Sequence, residues 1–211
     1  MASCDRITPV KSGRSHLGNF PLFSVVSLLL TLISSCATLQ GPEIIYPPNA
    51  PRVLSHYGSM MGPGGGRRDS LHRGIDIEAR TGAPVLAAAD GTVLTVGWSA
   101  TAEYRISIAH GRDTDSHYLM TVYYHNSQNL VEKGQKVKRG QEIALPGSTG
   151  RTGFTHFGVM RGPTREYPKE WSDIDPHEYW VEGPYRITCF DPTKTYPPAP
   201  IRFTYPLECQ R

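Results

Sequence analysis

The sequence predicts an all-β, antiparallel and turn-rich domain, on three observations. Glycine (21) and proline (18) are plentiful among the 211 residues, which favours turns and short strands over long helices. Segments such as Tyr104–Ala109 and Tyr118–Tyr124 alternate apolar and polar residues, the period of a half-buried strand. The central region shows no stretch with the period of an amphipathic helix. Apolar residues are 38% and charged residues 19% of the chain, a composition that allows one packed core.

The elements follow in chain order. Residues 1–35 read as a signal peptide. Arg6, Lys11 and Arg14 form a basic leader, and Phe23–Ile33 (FSVVSLLLTLI) is almost wholly apolar. That run falls short of the roughly 20 apolar residues that span a bilayer, and suits the apolar region of a secretory signal. It ends in Ser34-Ser35-Cys36, small residues before a cysteine. This resembles a bacterial lipobox, in which Cys36 is lipidated and becomes the new N-terminus; an ordinary signal peptide or short membrane anchor is the alternative. Residues 36–52 are rich in proline, without apolar period, and read as a tether.

Residues 53–162 carry the domain. Val85–Ala89 and Thr92–Val96 flank Asp90-Gly91, a short hairpin signal. Tyr104–Ala109 and Tyr118–Tyr124 are the next strands, and Lys133-Gly134, Arg139-Gly140 and Gly147 mark turns. Residues 163–211 are rich in Pro, Tyr and Trp without clear period, and read as an irregular tail wrapping the domain. Of the four cysteines, Cys4 leaves with the signal and Cys36 carries lipid, so Cys189 and Cys209 remain as an even pair in an oxidising compartment. A disulfide between them closes a loop of about 20 residues, a stabilisation on the order of 3 kcal/mol; two separate buried thiols are the alternative.

Three groups of residues can carry chemistry. In HRGID, the positions i, i+2 and i+4 of an extended segment share a face, so His72, Gly74 and Asp76 point one way while Ile75 and Ile77 point into a core. A straight strand holds His72 and Asp76 about 13 Å apart at Cα, too far for donors that each lie about 2 Å from one metal ion. The segment therefore bends, most easily at Gly74. In THFGV, His156 alternates with the apolar Phe157 and Val159. Two imidazoles and a carboxylate make a zinc set with a fourth position open, the catalytic pattern. In TVYYHN, Tyr123 and His125 are two apart and share a face. A neutral imidazole there stabilises charge or passes a proton. Taken singly each signal is weak, since His16, His56, His110, His117 and His177 also lie in the chain.

HRGIDIEARTGAPVLAAADGTVLTVGW, YRISIAHG, VYYHNSQNLVEKGQKVKRGQEIALPGSTGRTG and HFGV occur in this order. Together they resemble the lysostaphin-type (LytM-type) zinc metallopeptidases over about residues 55–160. The Gly134-Gln135-x-Val137-x-x-Gly140 turn is part of the likeness. The resemblance implies a small antiparallel β-sandwich with a zinc-bearing groove. It implies Zn2+ held by His72, Asp76 and His156, a catalytic His125, and hydrolysis of peptide cross-links in bacterial peptidoglycan. One position departs: Phe154 stands where the family has the first histidine of a His-x-His pair. GSTGRTG looks one residue short, and Gly158 stands where the family usually has an acid able to orient a ligand. A missing acid–base group costs about 10²–10⁴-fold in rate. His117 and His177 are the histidines that could stand in for it.

Two function classes follow. The first is a zinc endopeptidase slowed by Phe154. The second is a non-catalytic module that binds cell wall or regulates a partner hydrolase. A different metal-dependent hydrolase on the same scaffold is a third and weaker reading. The intact ligand set favours the enzyme. The expected partners are peptidoglycan, the membrane through a lipid anchor at Cys36, and a protein regulator of unknown identity. The net charge of +3, with no basic block interleaved with aromatics, argues against nucleic acid. Ala37 after the lipidated cysteine leans towards the outer membrane, facing the periplasm.

Overall fold

The computed structural model describes residues 41–80, 82–147, 153–164 and 170–210. The signal peptide, Cys36 and most of GSTGRTG lie outside the described residues. Ten strands run in chain order: β1 (Val53–Ser55), β2 (Ile75–Glu78), β3 (Val85–Leu86), β4 (Gly91–Ser99), β5 (Glu103–Arg112), β6 (Tyr118–Asn129), β7 (Lys136–Val137), β8 (Glu142–Pro146), β9 (Phe154–Gly162) and β10 (Ser172–Ile174). A single 3₁₀ turn, Pro176–Tyr179, is the helical element among the described residues. No helix among them is long and apolar enough to cross a membrane.

The expected all-β class holds. The main path of the sheet is β1-β2-β9-β6-β5-β4-β7, and each strand pairing along it is antiparallel. The sheet is open, ending at β1 and β7. β8 pairs the far end of β6, and β3 joins β8. This branch and the main sheet enclose one apolar cluster, to which Val85 and Ala144 contribute from the branch and Ile75, Ile77, Ile106, Ile108 and Phe157 from the main path. That is the packed two-layer arrangement of an antiparallel sandwich. The alternation read along Tyr104–Ala109 and Tyr118–Tyr124 appears as β5 and β6, the two longest strands.

Three local expectations are corrected. Asp90-Gly91 is not a hairpin turn. Residues Val85 and Leu86 pair with β8, and β4 begins at Gly91 and pairs with β5 and β7. The dipeptide instead ties two loops together, because Asp90 accepts from Lys138 Nζ at 2.8 Å and from the Arg139 amide at 2.9 Å. At Gly91 a Cβ would stand 2.5 Å from the Ala109 carbonyl oxygen, so close approach of β5 explains the glycine.

The described part of the tether is also not free chain. The Ile45 amide donates to Tyr185 O at 2.8 Å, the Ile187 amide to Ile45 O at 3.0 Å, and Tyr205 Oη to Pro51 O at 2.8 Å. Residues 45–51 therefore lie along the C-terminal tail.

The tail wraps the domain as expected, but it is core rather than covering. Trp180, Phe203 and Tyr205 are fully buried. Trp180 stacks on Phe157 of β9 with ring centroids 6.0 Å apart, and Tyr205 meets Trp180 at 5.8 Å. Large side chains of this kind contribute about 1.5–3 kcal/mol each when buried. Cys189 and Cys209 are joined as a disulfide, with Cα atoms 5.9 Å apart and 20 residues between them in sequence.

Candidate metal centre

The site begins with strand register. Asp76 on β2 is the direct cross-strand partner of His156 on β9, and Tyr124 on β6 is the partner of His156 on the other side. Directly opposed residues share a face, so three neighbouring strands bring a carboxylate, an imidazole and a phenol ring together. Tyr124 stacks on His156, with centroids 5.3 Å apart and planes 14° apart.

His72 arrives from outside the strand. The chain bends at Arg73 and Gly74 before β2 starts at Ile75, which is the bend that the ligand geometry demanded. Gly74 is needed for closeness as well as bending. A Cβ there would stand 2.5 Å from Phe157 O and 2.8 Å from the His156 ring.

The donor atoms form a tight triangle. His72 Nε2 is 3.1 Å from Asp76 Oδ1, His156 Nδ1 is 2.9 Å from the same oxygen, and the two ring nitrogens are 3.0 Å apart. Tetrahedral donors about 2.0–2.1 Å from a zinc ion are themselves about 3.3 Å apart. All three side chains are buried. Zn2+ is the cofactor this donor set fits: two imidazole nitrogens and one carboxylate oxygen at near-bonding separation, with one tetrahedral position left over. A second cluster, Asp113, Asp115 and His117, also brings three donors together. Arg161 already pairs with both of its carboxylates, at 2.6 and 2.5 Å.

Groups around the triangle hold it in place. His72 Nδ1 lies 3.0 Å from the His56 carbonyl and 3.3 Å from Ser55 Oγ. A carbonyl can only accept, so the proton sits on Nδ1 and Nε2 keeps its lone pair for a metal. Arg68 Nη2 donates to Asp76 Oδ2 at 2.5 Å, leaving Oδ1 for the two histidines. Burial alone would raise the Asp76 carboxyl, but hydrogen bonds and charge from His156 and His72 outweigh it and hold the group well below the usual carboxylate range. His156 is lowered from its ordinary value by burial, against the pull of Asp76.

His125 lies beside this triangle by an unexpected route. The alternation of an unbroken strand would set it on the same face as Tyr123. The two diverge, because the β5–β6 register passes from Ile106↔Tyr123 to Tyr104↔Asn126. Tyr124 and His125 together oppose the single Arg105, which is a β-bulge. His125 adopts φ 63° and alternation breaks there. Tyr123 points inward, where its hydroxyl accepts from the Ala88 amide at 3.0 Å. The His125 ring instead stands edge-on to His156, 6.5 Å between centroids, and edge-on to Phe154 at 5.0 Å. Burial lowers its pKa first, the neighbouring His156 adds to that, and Glu103 opposes it.

Phe154 shares the face of His156 two residues on, as the sequence implied. Neither candidate stand-in for a proton-transfer group reaches the site. His117 precedes Tyr118, which pairs with Gly162 at the far end of β6 from Tyr124, about 20 Å along the strand. Both nitrogens of His177 are engaged elsewhere: Nδ1 accepts from Trp180 Nε1, and Nε2 meets His56 Nδ1, each at 3.2 Å. Sequence reading missed Tyr124, Arg68 and the His56 carbonyl. The doubled tyrosine before His125 was a visible signal for the first; Arg68 and a backbone oxygen carried none.

Residues 70–168 match the sequence model of peptidase family M23. The peptidoglycan DD-endopeptidase ShyA of Vibrio cholerae is 40% identical over 99 residues, 46% of this chain and 22% of that protein. A lipoprotein NlpD/LppB homolog of Pseudomonas aeruginosa is 37% identical over 111 residues, 52% of this chain and 33% of that protein. The murein hydrolase activator EnvC of Escherichia coli is 29% identical over 145 residues, 67% of this chain and 32% of that protein. The chain thus spans a third or less of the length of these relatives.

Proposed function

Residues 70–168 form a domain of peptidase family M23, and from that premise we propose that the chain is a zinc-dependent endopeptidase cleaving peptide cross-links of bacterial peptidoglycan. The observation that carries the reading is the donor triangle of His72, Asp76 and His156, with sides of 2.9–3.1 Å. Their supports at Ser55, His56 and Arg68 keep the donor atoms converged. Zinc held there supplies Lewis acidity at a scissile carbonyl. Asp76 stays ionised and His156 stays neutral, so both are ready donors near neutral pH. Tyr124 covers one face of the His156 ring and limits its rotation. His125 is the residue able to take and return a proton.

A second reading keeps the metal but not the turnover. Phe154 can neither donate nor accept a proton, and it occupies the position facing His125. A regulator of a partner hydrolase, as the name of the E. coli relative describes that protein, needs the groove but no proton transfer. The lipid anchor at Cys36 and a place in the cell envelope belong to both readings.

The two are separated by zinc content and muropeptide release measured on one preparation. The peptidase reading expects close to one zinc per chain, sharply less in His156→Ala, and chelator-sensitive release of muropeptides from sacculi. Zinc-loaded protein that releases nothing from any wall preparation would leave the regulatory reading in its place.

A further inference from the structure

The turn between β4 and β5 sets a carboxylate against the bulge histidine. Glu103 opens β5 with φ 53°, and His125 has φ 63°. Both are side-chain-bearing residues in the left-handed region, where the Cβ is crowded. Such conformations persist where the surroundings over-determine them, and they cluster at working sites. Here the surroundings are backbone hydrogen bonds: the His125 amide donates to Ala102 O at 2.9 Å, and the Gly147 amide donates to His125 O at 2.8 Å. Gly147 has no side chain because a Cβ would stand 2.5 Å from that carbonyl and 3.2 Å from Glu103 Oε2.

The result is a pair that almost closes. Glu103 Oε2 lies 3.8 Å from His125 Nδ1. That nitrogen is buried and has no hydrogen-bond partner among the described residues. A buried ring nitrogen left unpaired is costly and calls for an explanation. The gap exceeds an ordinary N–H···O bond by under about 1 Å, within reach of a glutamate side chain with three rotatable bonds. The other charged groups acting on this ring are His156, Asp76 and Arg68, all belonging to the donor triangle or its support. Phe154 covers another edge of the ring with no polar atom.

We propose that Glu103 is a positioning residue for His125: its carboxylate accepts a hydrogen bond from His125 Nδ1–H and holds the neutral ring in the tautomer whose Nε2 lone pair is free on the opposite edge. The inference rests on His125 being the proton-handling group of the proposed peptidase. A proton taken up at Nε2 leaves an imidazolium facing a carboxylate, which favours it. The same proton is then returned to the amine that leaves when the peptide bond breaks. Glu103 thereby serves on a neighbouring strand for part of what the position of Phe154 cannot supply.

The test uses the zinc-loaded chain with Glu103→Gln and Glu103→Gly. The glycine variant relieves the left-handed strain, so it folds at least as well as wild type and separates orientation from stability. Nitrogen-15 NMR of the imidazoles reads which nitrogen of His125 carries the proton. Wild type is expected to show one tautomer, protonated at Nδ1, and Glu103→Gly a mixture; Glu103→Gln keeps an amide oxygen able to accept from Nδ1–H and removes only the charge. Wall hydrolysis by the variants is expected to lose about tenfold to a hundredfold in kcat, the usual effect of removing a carboxylate that orients a working histidine, with little change in KM. A His125 tautomer identical in wild type and Glu103→Gly overturns the proposal. A tautomer that changes on substitution while wild type hydrolyses no wall preparation supports the Glu103–His125 contact and overturns the peptidase reading instead.

Discussion

Phe154 is the residue on which the two functional readings turn. Its ring lies 5.0 Å from His125 and on the face of His156. An imidazole at that position would face the same open side of the donor triangle. Phe154→His is therefore expected to raise chelator-sensitive hydrolysis, by as much as the ~10²-fold lower range for a restored acid–base group. His125→Ala is expected to abolish it. Turnover of purified peptidoglycan by the three proteins checks both, and an inert Phe154→His with active wild type would show that no proton group is missing. A second residue bears on pH. His177 is pushed down to about 3, chiefly by burial and further by the charge of His56. Trp180 Nε1 donates to its Nδ1, so protonation would break that bond. The unfolded chain takes this proton near pH 6.5, the folded one only near pH 3. Stability from this ring is thus complete above about pH 6.5 and is lost as pH falls from there towards 3, by at most about 1.4 kcal/mol per pH unit. His177→Asn should flatten that part of the stability profile; urea titrations of both proteins between pH 7 and 4 read the difference.

At the scale of elements, two things set the site: the register of β2 against β9, and the bulge in β6. Register was legible in part. HRGID and THFGV each show a period of two, so which residues face away from the core follows from the residues themselves. That Asp76 opposes His156 does not, because pairing depends on strands 80 residues apart in sequence. The bulge left no mark in TVYYHN, since its cause is the single Arg105 across the ladder. Asp90-Gly91 misled for the same reason. It has the residues of a hairpin turn, but β8 competes for Val85 and Leu86, and β7 for the start of β4. The tail is a further element whose role was hidden. It has no period because its described residues form only the three-residue strand β10 and irregular chain, yet Trp180, Phe203 and Tyr205 fill the core beside Phe157. The Cys189–Cys209 bridge closes 20 residues of this tail. Reducing it, or making the double Ser variant, is expected to cost on the order of 3 kcal/mol in the free energy of unfolding. Denaturant titration with and without reductant measures it, and coincident curves would mean that packing alone holds the tail.

On the scale of the whole molecule, the metal site and the tail share one core, which extends beyond the family-matched residues 70–168. Phe157 follows His156 on β9 and stacks on Trp180, well beyond residue 168. The anchor proposed at Cys36 belongs to this scale as well. With the basic leader, apolar run and Ser35-Cys36, Cys36→Ser is expected to stop fatty-acid incorporation and leave uncleaved precursor, read by metabolic labelling and mass; normal processing of that variant would remove the anchor from the account. The all-β class was readable in local pattern, and the family resemblance of HRGID and HFGV pointed to His72, Asp76 and His156, which the fold brings within metal-binding distance of one another. The class is written in the period of two along each strand, while the donors stand out only because HRGID and HFGV resemble a known family's motifs. Strand pairing and packing, by contrast, set Tyr124 and His125 towards His156, Arg68 and the His56 carbonyl against the donors, Glu103 towards the His125 ring, and the tail into the core. These depend on which strand lies beside which, a choice made by burying apolar surface across the whole chain and not by any single segment's own preference.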